Sequence, residues 1–167
     1  MIEAILRDLR QPEYIHVLIN PLPVYGLAMG LIALIVAFFL RSRPAQVVAL
    51  LIIFICSASA FPVYELGEQA YDRVVSMSDE AGRAWLDAHQ DRAEDLIWFF
   101  YALALLSAVA LVVPRKWPRS TMPLVAAVLL LSAVTLGIGG YIAYAGGKVR
   151  HREFRNAPPP RQTEEAH

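Results

Sequence analysis

The chain has 167 residues, of which 57% are hydrophobic, and its formal net charge is zero. This length is that of one domain, and a neutral chain makes a nucleic-acid-binding function implausible, because such proteins carry a clustered basic surface. The apolar residues form long runs instead of alternating with polar ones, which excludes a soluble helical bundle.

The N-terminal segment, Met1 to Arg10, has an amphipathic pattern that predicts a short helix. Its apolar residues share one helical face and its charged residues the other. Such a helix lies in the headgroup plane of a membrane or packs against a partner protein. Shortly after His16, Pro21 and Pro23 are expected to break the backbone hydrogen-bond ladder.

Four segments meet or approach the length of about 20 apolar residues that a bilayer-spanning helix needs. They are Leu22–Leu40, Val47–Tyr64, Leu96–Val113 and Met122–Ala145. The sequence therefore predicts an all-α polytopic membrane protein with four antiparallel transmembrane helices in one domain, residues 1–156. Residues 157–167 are rich in proline and polar side chains, which predicts a disordered tail.

The charged residues are distributed unequally between the two sides of this predicted bundle. The two short loops, between spans one and two and between spans three and four, contain basic residues only: Arg41, Arg43, Arg115, Lys116 and Arg119. Every acidic residue lies on the other side, with both termini. Short loops rich in lysine and arginine remain in the cytoplasm, so both termini are expected in the periplasm and the protein in a bacterial inner membrane.

A polar insert, residues 65–95, separates spans two and three, and it holds most of the acidic residues. Span two is expected to continue as a helix to Arg73. The next helix is expected to begin at Ser78-Asp79-Glu80, where a capping side chain precedes an acidic first turn, and to run unbroken to Val113. Because such a helix, about 50 Å long, exceeds the hydrocarbon core of about 30 Å, helical extensions should project into the periplasm.

Topology brings three histidines to this side: His16 before span one, His89 above span three and His151 above span four. His151 is expected directly above a glycine-lined stripe of span four. Two imidazoles from different helices can hold a heme iron axially, and a four-helix membrane bundle is a natural holder for it. The sequence thus offers His16, His89 and His151 as candidate ligands of heme b.

Two other interpretations remain open. Glu65, Glu68 and Asp72 share one helical face, and together with His89 they could bind a divalent transition metal. Alternatively, the histidines cap helices or bond to carboxylates and no cofactor binds. The protein would then be an accessory subunit that packs through small-residue faces in a larger membrane complex or a homo-oligomer.

Motifs for enzymatic catalysis are missing from the sequence. It contains neither a Gly-x-Ser-x-Gly nucleophile elbow nor a phosphate-binding glycine-rich loop, so an enzyme is not the expected function. No span carries a charged residue, which disfavours an ion transporter. Cys56 is the single cysteine and lies in an apolar run, so it is expected to pack between helices.

The segment Ile15-His16-Val17-Leu18-Ile19-Asn20-Pro21-Leu22-Pro23 resembles the His-Pro-Leu-Leu-Val-His-Phe-Pro opening of a family of uncharacterised bacterial four-helix membrane proteins. A histidine ahead of the third span (Ala88-His89-Gln90) and a Gly-Gly pair before a basic, His-containing tail (residues 146–151) agree with that family as well.

The family's second opening histidine falls on Pro21 of this chain, so His16 would need a partner on another helix. The family is remotely similar to membrane-embedded b-type cytochromes with four-helix cores. The resemblance therefore implies the four-helix architecture more than an activity, and it adds some support to the heme interpretation.

Overall fold

The computed structural model describes residues 2–159, and the regular elements in this range are helical. The α-helices are α1 (Ile2–Asp8), α2 (Pro12–Ile19), α3 (Leu27–Phe39), α4 (Arg43–Ala58), α5 (Ala60–Ser76), α6 (Glu80–Val112) and α7 (Thr121–Arg150). A π-helical turn occupies Leu22–Gly26, and 3-10 turns occupy Val113–Arg115, Pro118–Ser120 and Arg152–Phe154. The predicted disordered tail lies outside the described residues from position 160 onward.

Consecutive helices join into four spans that are long and apolar enough to cross a membrane: Pro12–Phe39, Arg43–Ser76, Glu80–Arg115 and Pro118–Arg150. The predicted all-α bundle with four membrane-crossing helices is therefore confirmed. The second span continues past Arg73, and the third begins within the predicted capping sequence. There Asp79 accepts a hydrogen bond from the backbone N–H of Gly82 at 2.8 Å and so caps α6.

Prolines explain two local departures from regular helix. Pro62 has no N–H to donate to the carbonyl of Ala58, and α4 gives way to α5 at Ser59, between these two residues. In the first span the α-helical hydrogen-bond ladder is interrupted at Pro21 and Pro23 as expected, because α2 ends at Ile19 and α3 begins at Leu27. The N–H groups of Tyr25 and Gly26 both donate to the Pro21 carbonyl, at 2.8 and 3.4 Å, so the chain remains helical through a π-turn.

The four spans pack in a ring that follows their order in the chain. α3 lies against α4, α4 against α6, α6 against α7, and α7 returns to α3. The largest fully buried apolar side chains in the shared core are Leu27, Leu34, Leu50, Ile53, Leu103, Val125 and Val128. At one end of the bundle, α2 lies against α5, α5 against the first half of α6, and α6 against the second half of α7. We call this the histidine end.

Candidate cofactor cavity

A cavity of about 900 Å³ lies at the histidine end. Its volume falls within the range of about 300–1,000 Å³ that is typical of small-molecule and cofactor sites. The wall is mainly apolar and receives residues from all four spans, among them Val24, Val63, Ile97, Phe100, Gly139 and Ile142. Both His16 and His89 line it.

The imidazole of His16 is fixed by a backbone carbonyl and a glycine of α5. Its Nδ1 lies 2.8 Å from the carbonyl oxygen of Val63. A carbonyl oxygen can only accept, so Nδ1 carries the proton and Nε2 keeps the lone pair of the neutral ring. One turn further along α5, a Cβ on Gly67 would lie 3.0 Å from Cε1 of His16, so only glycine leaves the ring its full space.

The imidazole of His89 has the same environment on the other half of the bundle. Its Nδ1 lies 3.0 Å from the carbonyl oxygen of Ile142 on α7. A Cβ on Gly146 would lie 3.0 Å from both Cε1 and Nδ1 of this ring. In each case the carbonyl belongs to helical residue i and the glycine to residue i+4; we call this arrangement a histidine seat.

Helix geometry explains why the seat has this spacing. The carbonyl of residue i already accepts the N–H of residue i+4, and the Cβ of residue i+4 tilts back toward that carbonyl. A side chain at i+4 would therefore cover the second lone pair of the oxygen. With glycine there, an imidazole from a neighbouring helix reaches that lone pair.

The two seats bring imidazoles from opposite halves of the bundle to one cavity. His16 belongs to the first span and is held by the second, while His89 belongs to the third and is held by the fourth. Neither Nε2 has a hydrogen-bond partner among the described residues. An Nδ1–H···O=C bond is the contact that orients a metal-bound histidine and sets its tautomer.

No family model, curated protein or solved structure matches this chain. The chemistry of the cavity therefore follows from its own residues. These residues give a mainly apolar cavity with the imidazoles of His16 and His89 in its lining.

His151 is placed differently from the other two histidines. α7 ends at Arg150, so His151 lies just past the helix and not on the expected glycine-lined face. Its Nδ1 is 2.8 Å from Oε1 of Glu153, its ring stacks on Phe154, and its side chain is 58% exposed. The hydrogen bond from His151 holds the pKa of the Glu153 carboxyl below its usual value. His151 borders the cavity but has no seat.

The predicted metal set of Glu65, Glu68, Asp72 and His89 is not brought together. Within residues 2–159, no group of three or more His, Cys, Asp or Glu side chains could hold a metal ion. Of the three carboxylates, Glu68 borders the cavity, but it accepts a hydrogen bond from Nε2 of Gln90 at 2.8 Å. The α5 carboxylates therefore form a polar helix face and not a ligand cluster with His89.

Sequence reasoning did not identify Gly67 and Gly146 as site residues. A glycine inside a helix costs about 1 kcal/mol relative to alanine, so an isolated one often marks a close approach. Gly67 is such a residue, because it is the single glycine of the 17-residue helix α5. Its ring partner could not be found from the sequence, since His16 lies 51 positions away on another helix.

Proposed function

We propose that this chain is a membrane-embedded heme b protein that carries single electrons, with His16 and His89 as the axial ligands. The observation that supports this most strongly is the pair of histidine seats. Each seat fixes one imidazole by its Nδ1–H and leaves Nε2 unpartnered in the same cavity. His16 and His89 would hold the group, and the group would supply one-electron transfer.

The residues of this chain have three tasks in that function. The carbonyls of Val63 and Ile142 orient the two rings, and the hydrogen bonds make Nε2 more basic. The apolar side chains of Ile97 and Phe100 line the cavity and would contact the macrocycle. The ring of four spans holds the two seats in a common frame, so His16 and His89 would need little rearrangement to hold the group.

The charge distribution supports a membrane location for the protein and indicates on which side of the membrane the cavity opens. The basic loops lie at the end opposite the cavity, which favours an inner-membrane protein whose cavity opens toward the periplasm. Electron donors and acceptors would then be periplasmic proteins or other membrane subunits that reach the histidine end.

The test is the absorption spectrum of the full-length protein, produced with ample heme, purified in detergent, and recorded oxidised and dithionite-reduced. We expect a Soret band that shifts on reduction in the wild type and in the control His151→Ala. We expect His16→Ala and His89→Ala each to lose the band or to show a changed ligation state. A flat wild-type spectrum would refute the heme function and leave the accessory-subunit interpretation in its place.

A further inference from the structure

A small polar pocket of about 100 Å³ adjoins the mouth of the cavity. Met77, Val149 and Arg150 line both spaces, so the pocket and the cavity meet at these residues. The remaining lining residues of the pocket are Ser78, Asp79, Arg152 and Arg155. We call it the arginine pocket.

The arginine pocket contains three guanidinium groups and one carboxylate, and two of the three guanidinium groups bind that carboxylate. Nη1 of Arg155 donates to both oxygens of Asp79, at 2.9 Å each, and Nε of Arg152 lies 3.1 Å from Oδ2 of Asp79. Arg150 has no carboxylate partner among the described residues, and Nη2 of Arg150 lies 3.9 Å from the sulfur of Met77. The pocket therefore carries an excess of positive charge next to an apolar cavity.

Resting on the heme function proposed above, we propose that the arginine pocket binds the carboxylates of the cofactor through Arg150. Heme is an apolar ring with two carboxylates on one edge, and it requires an apolar cavity with a cationic rim at one side. Guanidinium groups bind carboxylates through charge-assisted, often bidentate, hydrogen bonds. Arg73, the other arginine of the cavity lining, is already paired with Glu13, with Nε 2.7 Å from Oε1.

This assignment also fixes the orientation of the ring. The carboxylate edge would lie at the mouth, where the chain leaves α7. The opposite, apolar edge would lie toward Phe100 and Gly139 in the depth of the bundle. The arginine pocket thus gives the cavity a preference for an acidic macrocycle over a neutral one.

The experiment compares two ligands on the full-length protein produced without heme and purified in detergent. Hemin and hemin dimethyl ester, whose carboxylates are blocked, are titrated into the wild type, Arg150→Gln and Arg150→Lys. Arg119→Gln, an exposed arginine at the opposite end, removes the same charge and serves as the control. Binding is followed by the Soret band.

We expect Arg150→Gln to bind hemin roughly five- to tenfold more weakly than the wild type, and to bind the ester with unchanged affinity. Arg150→Lys should recover part of the loss, and Arg119→Gln should match the wild type. Equal hemin affinity in the wild type and Arg150→Gln, with a Soret band in both, would overturn the carboxylate site and leave the heme function standing. No Soret band with either ligand would overturn both proposals.

Discussion

The histidine seat can be tested without any cofactor by adding one methyl group. Gly146→Ala places a Cβ 3.0 Å from Nδ1 and Cε1 of His89, which is closer than such atoms normally approach. The ring must then move away from the carbonyl of Ile142, its partner at 3.0 Å. Gly147→Ala is the matched control, because a Cβ on Gly147, the next residue of the same helix, meets nothing within 4 Å.

The two variants share one contribution to the free energy of unfolding, the gain from alanine in a helix, and differ in a second, the contact with His89. Replacing a helical glycine by alanine stabilises a helix by about 0.8–1.0 kcal/mol, and both variants receive this gain. Gly146→Ala additionally displaces the His89 ring by a few tenths of an ångström, which weakens a hydrogen bond worth about 0.5–1.5 kcal/mol. Gly146→Ala should therefore be less stable than Gly147→Ala by about 1 kcal/mol.

The difference is measured as the free energy of unfolding of the two variants, by denaturant titration in mixed micelles with helical circular dichroism as the signal. Absorption spectra of the same preparations show whether the moved ring still serves the proposed heme site. If Gly146→Ala is as stable as Gly147→Ala or more so, the ring is not held as the structure describes and the seat is wrong.

Two further predictions concern residues away from the seats. Hydrogen bonds from the N–H of Gly82 and from the Arg155 guanidinium lower the pKa of the Asp79 carboxyl below its usual 3.8. The ionised carboxylate therefore stabilises the folded state above pH 3.8, and this stabilisation is lost as the pH falls through the lower folded-state pKa. Thermal unfolding followed from pH 5 downward should show this loss in the wild type and in the control Asp91→Asn, and an identical profile for Asp79→Asn would refute it. The side chain of Gln46 is 2% exposed, and its Oε1 has no hydrogen-bond partner among the described residues. Gln46→Leu should therefore raise the free energy of unfolding by about 1–3 kcal/mol, and a less stable variant would contradict this.

The fold could be predicted because its determinants are local. Twenty-residue apolar runs, the capping sequence at Asp79 and the basic loops each act over one helix or one connection, and hydropathy and capping rules describe them directly. The break expected at Pro21 and Pro23 is present, but the π-turn that bridges it was not predicted. How a helix accommodates proline depends on its neighbours, which the sequence alone does not give.

The candidate site could be predicted only in part, because it depends on register between helices. Topology placed three histidines at one end, but it could not separate His16 and His89 from His151. That distinction depends on which backbone carbonyl each ring meets, and on α7 ending one residue before His151. The metal set failed to assemble for the same reason: a shared helical face brings carboxylates close to one another, whereas a ligand cluster with His89 needs a neighbouring helix in a specific rotation.

The seats cost stability that a bundle built only for close helix contact would keep. A bundle that needs only close helix contact would gain about 1 kcal/mol from alanine at each of Gly67 and Gly146, and more from apolar side chains in place of the two imidazoles. Each seat gives up that stability to fix a ring by its Nδ1–H. In return, each seat fixes an imidazole whose Nε2 keeps its lone pair, and the two imidazoles, from opposite halves of the bundle, both line the apolar cavity. In the heme function proposed above, a ligand that binds both nitrogens would account for the presence of two such rings at one cavity.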